Sequence, residues 1–291
     1  MATPSQWVAG ARPRTLPNAI VPVAVGTAVA IGEGGFVWWR AILALLVALS
    51  LQIGVNYAND YSDGIRGTDD QRVGPMRLVG SKVAAPPQVL AAALGSFALA
   101  AVLGLVLVIV TAAWWVLLVG AAAIAAGWFY TGGKRPYGYR ALGEAAVFVF
   151  FGVVPVVGTA YVQTESLSWP ALFASIPVGL LSCSMLVVNN LRDVGSDRES
   201  GKKTLAVVLG APATRTLYAG CIVVALFVAL VMSAAAWLCV LTVLAVPLAV
   251  RPVKTVLHGA VGPALIGVLQ DTGKLQLAFG LLFSVGLAIT L

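Results

Sequence analysis

Four oxygen-bearing side chains, Asn56, Asn59, Asp60 and Asp63, stand at i, i+3, i+4 and i+7, the spacing that shares one face of a helix. Asn190, Asp193 and Asp197 repeat the pattern at i, i+3 and i+7. Asp69 and Asp70 follow the first set in a glycine-containing segment. Amide and carboxylate oxygens are hard ligands, suited to Mg²⁺ rather than to Zn²⁺. Mg²⁺ commonly takes one or two carboxylates and completes its sphere with substrate phosphates. Two such faces meeting across an interior would therefore hold divalent cations, with a diphosphate as the missing ligand. A polar helix end at a membrane surface is the simpler reading. Gln52 and Asn56 speak against it, because they lie up to two turns inside an apolar stretch, where polar groups need a partner or a polar cavity.

Cations stand close to both sets. Arg66, Arg72 and Arg77 follow the first, Lys202 and Lys203 follow Asp197, and Lys134 and Arg135 sit in the segment 131–139. Most of these suit phospholipid headgroups; Lys202 and Lys134, next to glycines, are the candidates for phosphate contact. His258 stands alone and reads as a surface residue. Cys183, Cys221 and Cys239 are isolated in apolar stretches, with no disulfide or Cys/His metal spacing.

The elements that position these residues must be membrane helices. Of 291 residues 60% are hydrophobic and only 10% charged, against about 25% charged in soluble domains. A span needs about 20 apolar residues. The segments 15–32, 41–59, 145–164, 166–191 and 275–291 allow one span each. The charge-free run 83–133 is read as a hairpin turning near 111–113, and 216–250 as one turning near 233–237. The expectation is an all-α, polytopic protein of nine transmembrane helices around a central cavity. The stretch 255–270, broken by Gly259, Gly262, Pro263 and Gly267, is read as a loop or an interfacial helix. The N-terminal run has the outline of a signal peptide, but Pro17 and Pro22 interrupt it and the span is needed.

Sorted by these spans, 17 of the 18 basic residues fall on one side and Arg40 alone on the other. Basic residues mark the cytoplasmic side, which places the N-terminus and both Asn/Asp sets there. Nine of the eleven acids share that side; Glu33 and Glu165 do not. The sets stand four spans apart at equivalent ends. The chain is therefore read as one domain over 1–291 built from half-repeats of about 12–133 and 141–252, with a last span at 275–291.

The stretch NYANDYSDGIRGTDD at 56–70 resembles the first Asp-rich motif of the UbiA superfamily of membrane prenyltransferases, and DVGSD at 193–197 resembles the second. With YTGGKRPYGY at 130–139, LGE ending at Glu144 and NNLRDVGSDRESGKKTLAVVLG at 189–210, the chain is most similar to the 1,4-dihydroxy-2-naphthoate polyprenyltransferases of menaquinone synthesis. It departs at Lys203, where the family commonly has Arg, and at Lys134, where Pro is frequent.

The resemblance implies nine helices around a cavity and a Mg²⁺-dependent transfer at the cytoplasmic face of the cell membrane. A polyprenyl diphosphate would ionise, and 1,4-dihydroxy-2-naphthoate would attack the allylic cation and lose CO₂. The catalytic candidates are Asp60, Asp63, Asp193, Asp197 and Lys202. The Mg²⁺ candidates are Asn56, Asn59, Asp60, Asp63, Asp69, Asn190, Asp193 and Asp197. Substrate contacts are expected from Asn56, Asn59, Asn190, Arg66, Lys134 and Lys203, with Tyr130, Tyr137 and Tyr139 orienting the ring or shielding the cation. The lipid bilayer is the other expected partner; no nucleic acid and no obligate protein partner is expected. The alternatives are a related enzyme using 4-hydroxybenzoate or another aromatic acceptor and, from a different class, a cation transporter.

Overall fold

The computed structural model describes residues 2–68 and 76–291; Asp69, Asp70 and Arg72 fall outside them. Among the described residues every regular element is helical. A short α1 (Pro4–Gly10) and a 3₁₀ turn (Pro13–Thr15) lead into α2 (Pro17–Gly32), α3 (Trp38–Ile65), α4 (Pro86–Thr111) and α5 (Val116–Phe129). Then α6 (Gly143–Phe148) joins α7 (Val154–Thr164) through a π turn, followed by α8 (Trp169–Glu199) and α9 (Leu205–Met232). A 3₁₀ stretch (Trp237–Ala245) runs into α10 (Val246–Leu257), and α11 (Ala264–Thr290) ends the chain.

Seven helical stretches are long and apolar enough to cross a bilayer, and an eighth is added if α1, the 3₁₀ turn and α2, bent by 52°, count as one span. Helix α5, at 14 residues, extends only about 21 Å. The hairpin in 83–133 turns at Ala112, whose positive φ of 50° ends α4. The reading of 255–270 is corrected. His258 and Gly259 close α10, and α11 begins at Ala264, so 264–270 is the first part of a 27-residue helix. Pro263 sits at the helix N-cap, where a missing N–H costs nothing.

Close helix packing is set by small residues. A Cβ on Gly152 would lie 2.4 Å from the Cα of Gly179, so the α6–α7 stretch touches α8 backbone to backbone. Gly280 lies against Val21 and Gly32 against Leu287; both numbers rise together, so α2 and α11 run parallel. Gly127 lies against Val55, and Thr131 meets Asn59, which makes α5 parallel to α3. The largest buried cluster joins α2, α7, α8, α9 and α11 through Val25, Val156, Leu181, Tyr218 and Phe279. Because α3 and α8 extend past the apolar layer to Ile65 and Glu199, their Asn/Asp ends reach the same end of the bundle.

Candidate active site

The α3 helix continues unbroken through Asp63, so Asn56, Asn59, Asp60 and Asp63 do share a face. Their surroundings divide them. Asn56 donates to the carbonyl of Ala11 at 2.9 Å and to Thr15 Oγ1 at 3.0 Å. Asn59 Oδ1 accepts from Thr131 Oγ1 at 2.8 Å. Asp60 is fully buried, and its two oxygens accept the backbone N–H groups of Leu78 and Val79 at 2.7 and 3.0 Å. Those two bonds fasten the segment that begins at Met76 to α3, a task that the spacing alone did not suggest.

Asp63 is the meeting point. It accepts from Tyr139 Oη at 2.5 Å, lies 3.3 Å from Lys202 Nζ and 3.8 Å from Arg77. Helix α3, the α5–α6 loop and the segment after α8 thus converge on one carboxylate. Lys202 Nζ lies 4.8 Å from the centroid of the Tyr139 ring and the Arg66 guanidinium 5.7 Å from it. Arg66 donates to the carbonyls of Thr131 and Gly133, pinning the loop to α3. Lys203 N–H bonds the Tyr139 carbonyl at 3.1 Å, while its side chain and that of Lys134 are exposed. Burial, and next the Asp63 carboxylate, push the Tyr139 phenol up, which keeps it a hydrogen-bond donor at neutral pH. Burial pushes Tyr137 up to about 12.

The second set is held differently. Asp193 takes a two-pronged bond from Arg192 at 2.7 and 2.6 Å. Asp197 receives Thr204 Oγ1 at 3.5 Å, and its backbone carbonyl receives the Lys202 N–H at 2.8 Å, which places Lys202 over the site. Asn190 donates to Glu144 Oε1 at 3.0 Å. Among the described residues no three Asp, Glu, His or Cys side chains converge on one point. The donors are oxygens from two helix ends, and that set fits a hard cation whose remaining ligands come from phosphate and water.

A cavity of about 1180 Å³ opens from this end. Asn56, Asn59, Tyr130, Tyr137 and Arg192 lie on its wall, and the rings of Tyr130 and Tyr137 meet edge-on at 5.6 Å. Asp63, Asp193 and Asp197 are not on the wall; each is turned toward a cation or hydroxyl beside it. The cavity then runs between α3, α4, α5 and α7, past Ala48, Gly104 and Val157, to Trp115 and Tyr161. There Trp115 Nε1 donates to Tyr161 Oη at 3.1 Å. The site is a charged mouth on a long apolar tunnel, suited to an amphiphile with an anionic head and a hydrocarbon tail.

The UbiA prenyltransferase family model matches residues 19–260, most of the chain. The chain belongs to the UbiA prenyltransferase family. It is 54% identical to the 1,4-dihydroxy-2-naphthoate octaprenyltransferase of Mycobacterium tuberculosis, over 99% of this chain and 98% of that one. The protein of that name from Escherichia coli is 38% identical, over 98% and 95%. Among solved structures, a UbiA homologue from Aeropyrum pernix K1 superposes with a TM-score of 0.68 at 15% identity, covering 91% of this chain and 96% of that one. One from Archaeoglobus fulgidus bound to GPP and Mg²⁺ gives 0.65 at 13%, covering 98% and 100%. The UbiA fold and a multi-pass membrane protein are therefore established for this chain.

Several residues at the site carried no functional weight in the sequence. Arg77 looked like one more topology residue, and Thr131 and Arg192 stood inside the quoted stretches 130–139 and 189–210 without a role of their own. Glu144 was visible only through the resemblance, and Gln52 only as a polar residue in a span.

Proposed function

We propose that this protein transfers a polyprenyl group from polyprenyl diphosphate to 1,4-dihydroxy-2-naphthoate, releasing diphosphate and CO₂ and giving the prenylated naphthoquinol, the reduced form of demethylmenaquinone. The full-length identity of 54% to a protein named for that reaction carries the reading. The charged mouth and apolar tunnel match a substrate with a diphosphate head and a prenyl tail.

The diphosphate sits at the mouth, where Asn59, Asp63, Asn190, Asp193 and Asp197 would hold Mg²⁺. The metal neutralises the leaving diphosphate when bound. Lys202 leaves Asp63 and donates to a phosphate oxygen, with Arg77 and Arg192 adding positive charge on the same side. The allylic C–O bond breaks and its electron pair leaves with the diphosphate. Tyr130 and Tyr137 present ring faces where the allylic cation forms, and the apolar walls keep out water that would quench it. The naphthoate ring carbon supplies an electron pair for the new C–C bond. The carboxylate then leaves as CO₂, returning its bonding pair to the ring. Asp60 takes no part in these steps and keeps the 76–84 segment against α3.

Incubating purified protein in lipid with Mg²⁺, a labelled polyprenyl diphosphate and either 1,4-dihydroxy-2-naphthoate or 4-hydroxybenzoate tests this by product mass. A decarboxylated prenylnaphthoquinol is expected, and product from 4-hydroxybenzoate alone would sink the proposed acceptor. Metal flux into proteoliposomes without prenyl diphosphate would favour transport instead.

Lys202→Ala is expected to lower kcat/KM for the prenyl donor by about a hundredfold, since a charge-assisted contact to a departing anion is lost. The KM for the acceptor should stay within about twofold. Wild-type behaviour with both substrates would make Lys202 a headgroup residue, where a basic side chain contributes only about 1 kcal/mol.

The orientation proposed is mouth and N-terminus in the cytoplasm, with α2 and α11 as the first and last of nine crossings. Parallel packing of those two helices supports an odd count, and α5, parallel to α3, would supply the crossing that length leaves out. Two four-helix units, 12–133 and 141–252, fit the way α3 packs along α4 and α8 along α9. A cysteine at Gly195 should react with an impermeant reagent from the cytoplasmic side only, and one at Glu165 from the outside only. Labelling of position 165 from the cytoplasm would break this topology.

A further inference from the structure

Gln52 lies on α3 two turns before Asn59, on the cavity wall, with 4% of its surface exposed. Its amide orientation follows from its neighbours. The Ala11 carbonyl can only accept, so the Asn56 amide nitrogen must face it, at 2.9 Å. That turns Asn56 Oδ1 toward Gln52, whose Nε2 donates to it at 3.3 Å and to Thr15 Oγ1 at 3.2 Å. The Thr15 hydroxyl proton is used on the Arg12 carbonyl at 2.9 Å, so Thr15 is left as an acceptor for both amides. A flipped Gln52 would set its oxygen against Asn56 Oδ1, acceptor against acceptor. What remains is Gln52 Oε1, buried and with no hydrogen-bond partner. Asn18 Oδ1, one helical turn beyond Thr15 on the same wall, is likewise buried without a partner.

We infer that Gln52 Oε1 is the docking point for a phenolic hydroxyl of the aromatic acceptor, with Asn18 beside it. This rests on the proposed function. Of the ligands that reaction brings, the ionised prenyl diphosphate carries only acceptors and its tail carries no polar group. The dihydroxynaphthoate ring brings two O–H donors. A cation is a poor occupant, because Asp60, two turns along α3, has both oxygens on backbone N–H groups. A ring hydroxyl donating to Gln52 also gains electron density for the ring, which favours attack on a cation. A site with a buried unpaired acceptor rejects a ligand that lacks the matching donor.

The test is binding, so that the lower reactivity of deoxygenated rings does not intrude. Dissociation constants are measured calorimetrically on the full chain in lipid nanodiscs. The ligands are 1,4-dihydroxy-2-naphthoate, 1-hydroxy-2-naphthoate and 4-hydroxy-2-naphthoate, with wild type and Gln52→Met. Wild type should bind one monohydroxy analogue about tenfold more weakly than the parent. In Gln52→Met that difference should vanish, with geranyl diphosphate affinity unchanged. Equal weakening of all three naphthoates in the variant would overturn the assignment and leave Gln52 a packing residue. So would equal affinity for all three in wild type, a result that stands even where the variant fails to fold. If no naphthoate binds but 4-hydroxybenzoate does, the proposed acceptor is wrong, and 4-hydroxybenzoate against benzoate then decides the Gln52 contact by the same comparison.

Discussion

Asp63→Asn is expected to lower kcat for prenyl transfer by about a hundred- to a thousandfold while leaving the protein folded. The substitution keeps the shape and removes the charge. In the structure that charge gathers Tyr139, Lys202 and Arg77 from three separate segments. All three partners are side chains, and Asn can still accept from Tyr139, so the helices stay where they are. In the proposed reaction the same carboxylate turns to the metal, and Lys202 turns to the diphosphate. The loss then falls on the stabilisation of a leaving anion, for which removal of one preorganised group costs about that factor. The measurement is kcat at saturating Mg²⁺ beside the thermal unfolding midpoint in detergent. Retention of more than about a tenth of wild-type kcat would remove Asp63 from the metal–diphosphate site.

Asp60→Ala should fail in a different way, although Asp60 is only three residues from Asp63. Its carboxylate accepts two buried N–H groups, those of Leu78 and Val79, and each such group left unpaired costs about 1 to 3 kcal/mol. The unfolding midpoint should drop by roughly 10 °C, with activity falling because Arg77, next to Leu78, loses its place beside Asp63. Asp60→Asn, which keeps one acceptor oxygen, should fall between. An unchanged midpoint with abolished turnover in Asp60→Ala would return Asp60 to the role of a metal ligand.

That contrast shows where sequence reading stops. The i, i+3, i+4, i+7 spacing placed Asp60 and Asp63 on one face correctly, because helix geometry is local. It could not say that the Asp60 oxygens are met by a backbone eighteen residues further on, or that Tyr139 and Lys202 close over Asp63. Those partners arrive through tertiary packing. The span boundaries were legible at α3, α4 and α8, where charges bracket an apolar run, but the run 83–133 did not reveal that its second helix, α5, has only 14 residues. They failed at 255–270, where Gly262, Pro263 and Gly267 looked like breaks. Pro263 is a helix start, Gly262 lies before it, and Gly267 sits inside α11 with open space where its side chain would stand; glycine is more frequent in membrane helices than in soluble ones. Gln52 was visible as a polar residue in an apolar run, but its free oxygen depends on how Ala11, Thr15 and Asn56 orient its amide.

The parallel seam between α2 and α11 has a consequence for biosynthesis. Helix α2 leaves the ribosome long before α11, yet they are neighbours in the finished bundle. Until α11 is made, the flank of α2 that carries Val21 lacks the helix that covers it at Gly280. Two polar contacts on the inner side of the bundle also wait. Ser182 has yet to meet Gln276, at 3.1 Å, and Tyr218 has yet to meet Thr272, at 2.7 Å. The bundle is therefore a ring whose clasp is made by α11. A nascent chain stalled before α11 shows the membrane an open polar seam, and that seam marks it as unfinished.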